Sequence, residues 1–404
     1  MDRTAQKSNS RLWREGSLAA SSQPDRVSWV RDGIRNGTRT TCPFDLINLV
    51  RGGSCSSDLY MRWRAVIMRT SASGVDESIL SGGVSLRGEL DGVLLLLVGD
   101  SLCREQWVEL ACALHGAEHT RVRLLDGYNY TPRDEKKESG HLLARVHSPG
   151  VANTWVGFLQ IDSMQQKSHA VAAEARQLTE NVARLQAELH SAKQSAVRGL
   201  TVALHLCSIK AHTLKSRGYE TPDGYFDDLA NFANELQHNT NASFLYYRPG
   251  PTTHFATADA GYVPTTGMPE PCRPITQVAS QKAWFVREEE AMGAKLDAHF
   301  SGKVTVLRGV WALSQDAWTQ HPSMSVVHHP DTHKPRNISD CLHYCIAGDG
   351  AVGVYDAFNR LWWWHMQADL SQRSPTKRAS LSGGGGRSGQ HPSEGFTDSS
   401  TSLT

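Results

Sequence analysis

The fold is read from Val93-Leu94-Leu95-Leu96-Leu97-Val98-Gly99-Asp100-Ser101-Leu102-Cys103-Arg104-Glu105-Gln106-Trp107. The apolar run 93–98 is too short for a bilayer, which takes about 20 residues, and reads as a buried strand. Beyond the Gly99-Asp100-Ser101 turn, Cys103, Trp107, Leu110 and Leu114 recur at spacings of 4, 3 and 4. That is the period of an amphipathic helix, so a strand, a tight turn and a helix follow one another directly.

Working outward, 200–206, 242–247 and 304–307 read as further buried strands, and 227–236 and 280–300 as helices between them. Ala175, Leu178, Val182, Leu185 and Leu189 mark a long helix, placed at 165–195. Its register is shorter than the three to four heptads of a coiled coil, so it is expected to pack on its own domain. Alternating strands and helices predict an α/β fold with a mostly parallel central sheet flanked by helices. One domain, 40–370, is expected, opening with an irregular cysteine-bearing segment at 40–90. A flexible arm, 1–39, precedes it. A disordered tail, 371–404, follows, rich in Ser and Gly and too poor in apolar surface to offset ordering entropy.

Lys+Arg number 42 and Asp+Glu 41 in 404 residues, a net charge of +1, so no basic field argues for nucleic acid. The first 23 residues hold no apolar core of a signal peptide, and no stretch reads as a membrane anchor. Sequons at Asn36, Asn241 and Asn337 matter only for a chain in the secretory pathway. Cys341-x3-Cys345 has no second pair at zinc-like spacing among the eight cysteines. No metal site is expected; His328, His329 and His333 beside Pro330 read as a plain loop.

A serine between a buried strand's carboxyl end and a helix N-terminus is well placed for chemistry. The helix offers backbone N–H groups to a developing oxyanion, and Gly99 permits close approach. Ser101 is such a serine, or else only the helix N-cap. A serine nucleophile needs a base, usually histidine, oriented by a carboxylate. Asp340-Cys341-Leu342-His343 places that acid and base three residues apart, so one loop can deliver both to Ser101. Trp362-Trp363-Trp364 is either a sugar-stacking surface or, more commonly, a buried aromatic cluster.

Together, Gly99-Asp100-Ser101-Leu102 and Asp340-x-x-His343 resemble the SGNH/GDSL hydrolases, and more closely the trichome-birefringence-like or PC-esterase family of polysaccharide O-acetyltransferases. Further blocks agree in order: Cys42-Pro43-Phe44, Cys55 to Tyr60 with Trp63-Arg64, Arg104 with Gln106-Trp107 and Cys112, Arg248 with His254-Phe255, Leu313-Ser314, His321-Pro322-Ser323, and Phe358-Asn359. The resemblance implies an SGNH-hydrolase-like fold, with Ser101 as nucleophile, His343 as general base and Asp340 as its orienter. It implies oxyanion support from Gly99, Asp100 and Arg104, and a substrate pocket involving Arg248, His254 and Asn359. The implied activity is acetyl transfer to a polysaccharide or oligosaccharide hydroxyl through an acyl-serine. A donor such as acetyl-CoA would serve as co-substrate, with no bound cofactor. A carbohydrate acetyl esterase with the same triad, or a weakly catalytic polysaccharide-binding relative, are the alternatives. Secretory, Golgi residence and some disulfides are implied, while Cys103 and Cys207 lack family counterparts and are expected to be free thiols. Four departures stand out: Glu105 replaces the family's Asn, Cys207-Ser208 stands where an Asn donates to the oxyanion, Pro251-Thr252 replaces a Ser-Pro, and Tyr344 replaces a Trp.

Overall fold

The computed structural model describes residues 27–34, 61–67, 90–116, 121–125, 141–148, 151–193, 199–209, 219, 222–256, 271–275, 278–321, 323–328, 335–345 and 353–371. The expected tail beyond 371, most of the arm and of the 40–90 segment, and Cys42, Cys55, His329 and His333 lie outside them.

In chain order the elements are β1 (Val27–Ile34), β2 (Met61–Ile67), β3 (Val93–Gly99), α1 (Ser101–Gly116), β4 (Arg121–Leu124), β5 (His141–Ser148), β6 (Val151–Gln160), α2 (Met164–Lys193), β7 (Thr201–Cys207), α3 (Pro222–Thr240), β8 (Phe244–Arg248), α4 (Val278–His299), β9 (Lys303–Val306), α5 (Val310–Ser314), β10 (Ser323–His328), β11 (Pro335–Asp340) and α6 (Val354–Ser371). Seven strands form the central sheet in the order β4-β5-β6-β3-β7-β8-β9. From β6 to β9 every pairing is parallel, and only the β4 and β5 edge runs antiparallel. The α/β expectation holds.

Both faces of the sheet are covered, which is why β3 is apolar throughout. Leu95 and Leu97 pack with α1, α5 and α6, while Leu94, Leu96 and Val98 pack with α2, α3 and α4. β3 sits between β6 and β7, so the chain leaves it toward opposite sides of the sheet. The crevice at the carboxyl end of such a strand is where open α/β sheets bind ligands.

Several expectations are corrected here. β1 and β2 pair antiparallel inside the stretch read as a flexible arm and an irregular segment. Val27, Trp29 and Arg31 there alternate with Ser28 and Val30, a pattern too mixed for periodicity to single out. β4 to β6 and the β10–β11 pair went unread, although β5–β6 and β10–β11 are antiparallel pairs with short connections, Ser148 pairing with Val151 and His328 with Pro335. The Trp run, by contrast, agrees with the commoner reading of a buried cluster: Trp362 and Trp363 are buried in α6, and Trp364 is exposed.

Candidate active site

The turn after β3 is built from its own residues. Asp100, not Ser101, caps α1: its Oδ1 accepts the Leu102 N–H at 2.9 Å, and its carbonyl accepts those of Cys103 and Arg104 at 3.1 Å each. Of the N–H groups a helix start leaves over, Asp100 takes those of Leu102 and Cys103, the Arg104 bond being the first regular one of the helix, and the N–H of Ser101 is not among them. The Ser101 hydroxyl is likewise not used for capping. A Cβ added to Gly99 would lie 2.6 Å from Cys103 Cβ and 2.8 Å from Cys207 Cβ, so glycine is required by close approach. Those two cysteines form a disulfide, which corrects the expectation of free thiols. No local pattern points to it, because the pair is 104 residues apart.

The second element is the loop after β11. Asp340 Oδ1 accepts the backbone N–H of His343 at 3.1 Å, and both carboxylate oxygens lie 3.0 Å from His343 Nδ1. One side chain therefore both folds the loop and orients the imidazole. Behind it, His321 Nδ1 donates to the His343 carbonyl at 2.7 Å, and the Cys345 N–H donates to the Gln320 carbonyl at 2.7 Å. The Tyr344 hydroxyl donates to the Thr252 carbonyl at 2.5 Å, and a Cys272–Cys341 disulfide fixes the other side.

The two elements meet. Ser101 Oγ lies 2.9 Å from His343 Nε2 across 242 residues of sequence. Ser101 is partly exposed, while Asp340 and His343 are buried. A hydroxyl, an imidazole and a buried carboxylate in that order can pass a proton from oxygen to nitrogen while the carboxylate stabilises the resulting cation. No group of His, Cys, Asp and Glu able to hold a metal ion occurs among the described residues.

The chain belongs to the PC-esterase family. The family model, described as a GDSL/SGNH-like acyl-esterase family found in Pmr5 and Cas1p, matches residues 88–363. The chain is also similar to a probable xylan O-acetyltransferase 8 of Oryza sativa subsp. japonica, at 23% identity over 356 residues, 81% of this chain and 74% of the relative. Membership supports polysaccharide acetyltransferase or esterase chemistry in general terms.

Arg248, His254 and Asn359, expected to take part in a substrate pocket, are each 0% exposed. Arg248 Nη1 donates to the Pro249 carbonyl, and its guanidinium lies 5.4 Å from the Phe358 ring centre. His254 Nδ1 is 2.6 Å from His321 Nε2, and burial pulls the His254 imidazole down to about 4. Asn359 exchanges hydrogen bonds with Gln106, donating to its carbonyl and accepting from its carboxamide, and so ties α6 to α1. Arg104 is buried within α1. Ser208, where an oxyanion Asn was looked for, shares a hydrogen bond with Tyr225 Oη at 3.0 Å.

Sequence reasoning missed Tyr355, which donates to Glu105 Oε2 at 2.8 Å, and Glu288, which accepts from Tyr247 Oη at 2.6 Å. Burial raises both carboxyl groups above the usual range. A signal for the first existed: Arg104, Glu105, Gln106 and Glu109 crowd one short helix, and all four are buried. Charged residues are rarely sealed in without partners.

Proposed function

We propose that this protein is a serine-dependent O-acetyltransferase that moves an acetyl group onto a polysaccharide hydroxyl through an acyl-serine. The observation that carries the reading is the 2.9 Å contact between Ser101 Oγ and His343 Nε2, with Asp340 at 3.0 Å behind the ring. Ser101 Oγ attacks the acetyl carbonyl carbon as its proton passes to His343 Nε2. Asp340, held on Nδ1–H, stabilises the imidazolium. The negative oxygen that forms is met by the helix N-terminus, where the Ser101 N–H is not taken by Asp100. The tetrahedral species collapses as the leaving group, such as the thiolate of acetyl-CoA, takes the proton from His343. A sugar hydroxyl then loses its proton to His343 and attacks the acetyl-serine. The proton returns to Ser101 Oγ, and free enzyme and O-acetyl sugar result.

The polysaccharide acceptor is supported by the likeness to the probable xylan O-acetyltransferase 8 of rice. Residence in an oxidising secretory compartment such as the Golgi is supported by the disulfides, since such bonds rarely persist in cytosol. Among the described residues no helix is long and apolar enough to cross a membrane. Hydrolysis, with water in place of the sugar, uses the same residues and is supported by the family's description as acyl-esterases.

Purified protein incubated with acetyl-CoA and xylo-oligosaccharides is expected to give acetylated sugar by mass spectrometry, with an acetyl-Ser101 peptide trapped on rapid quench. Ser101→Ala is expected to lose both products while unfolding at the wild-type temperature. Free acetate without acetylated sugar would select the esterase. Acetyl transfer that survives Ser101→Ala would sink the serine mechanism.

A further inference from the structure

Glu105 lies one helical turn beyond Ser101 on α1, and Tyr344 directly follows His343. Between them stands Tyr355 of α6, and all three side chains are buried. The Tyr344 backbone N–H can only donate, and it lies 3.4 Å from Tyr355 Oη. That leaves the phenol's hydrogen for Glu105 Oε2, 2.8 Å away. The bridge therefore runs in one direction: Tyr344 N–H to Tyr355 O–H to the Glu105 carboxyl. The Tyr344 and Tyr355 rings also meet edge to face, with centres 5.8 Å apart.

We infer that Glu105 is a positioning residue: through Tyr355 it fastens the helix that carries Ser101 to the loop that carries His343, and so sets the separation of nucleophile and base. This rests on the serine reading proposed above. Side-chain length decides it. The Asn that the resembled pattern has at this position is one methylene shorter and would stop short of Tyr355, whereas Glu or Gln reaches. The groups facing the carboxyl are Arg104 from its own helix, Tyr355 from α6, and His343 and Asp340 from the loop. Burial raises Glu105 and the nearby His343 lowers it. The assigned role needs only an acceptor oxygen, which both protonation states supply. Without the bridge the two halves drift, and a misplacement of about 1 Å can cost roughly 10²-fold in rate.

The test uses 4-nitrophenyl acetate, which needs no sugar. Tyr355→Phe and Glu105→Ala are each expected to lower kcat by about 10- to 100-fold with KM unchanged. The double variant should fall no further than the worse single, as members of one network do. Glu105→Gln should restore turnover close to that of wild type. Independently of turnover, amide hydrogen exchange at Tyr344 should speed up in Tyr355→Phe, the variant to rely on if Glu105→Ala does not fold. Unchanged Tyr344 exchange in folded Tyr355→Phe, additive losses, or Glu105→Gln as poor as Glu105→Ala would each overturn the inference. If wild type shows no acyl turnover, it is the serine reading that has failed, and the Tyr344 exchange rate alone decides whether the bridge exists.

Discussion

Ser101 is held by its neighbours in sequence and His343 by strangers to it. The nucleophile turn follows the central strand of a parallel sheet, is capped by the adjacent Asp100, and lies against the Cys103–Cys207 bridge. The base loop lies outside that sheet, after β11 of a separate two-stranded pair. Its backbone and side chains are fastened to Gln320, His321, Thr252 and Cys272, contributed by three other stretches of chain. Damage to the scaffold of the first region, the nucleophile itself aside, should therefore appear as lost stability, and damage to the second as lost turnover in a protein that still folds.

The largest expected effect falls on the loop. Asp340→Asn should leave the Cys272–Cys341 bridge and the fold in place while misdirecting the His343 tautomer, lowering kcat by about 10⁴-fold. A pH–rate profile and a thermal melt of the same sample check both halves of that statement. Wild-type turnover in Asp340→Asn would break the comparison.

Next come the two disulfides. Cys103→Ala with Cys207→Ala opens a loop of 104 residues and should lower unfolding free energy by about 3–5 kcal/mol in urea titration. Cys272→Ala with Cys341→Ala spans 69 residues and should cost about 2–4 kcal/mol, with a further drop in kcat that the first pair does not show at temperatures where both are folded. The reverse assignment of kcat loss would contradict the division between scaffold and loop.

A smaller effect comes from His205 of β7, buried against Trp362 at 4.4 Å between ring centres. Burial, assisted by Arg248, holds its imidazole well below the ordinary value. A folded-state pKa below the unfolded value means that the unfolded chain takes up the proton first. The stabilising contribution is then complete above about pH 6.5 and lost as pH falls, at up to about 1.4 kcal/mol per pH unit. Stability measured at pH 7.5, 6 and 5 should therefore fall less steeply in His205→Phe than in wild type. Equal slopes would show that His205 does not contribute. Smallest of all, Trp364→Ser at a 43% exposed position of α6 should change stability by no more than about 0.5 kcal/mol.

The same contrast explains what could be read in advance. The strand 93–98 and the α1 period are local patterns, and each became the element expected. The long helix, expected at 165–195, runs Met164–Lys193. By contrast, the partners of Arg248, His254 and Asn359, which the resemblance alone assigned to a substrate pocket, could not be read: they are buried and bonded to Pro249, His321 and Gln106, partners no periodicity could name. The Glu105–Tyr355 contact joins residues 250 apart and escaped for the same reason.

By itself the sequence determined the strands β3, β7, β8 and β9 and several of the helices around them, the family likeness and the side chains able to do the chemistry, because periodicity, turn residues and short motifs act over a few neighbours. Only the tertiary structure decided that Cys103 reaches Cys207 and that Tyr355 links the two halves of the site. Those contacts form when packing closes long loops, and the identity of a partner a hundred or more residues away is written in no local pattern.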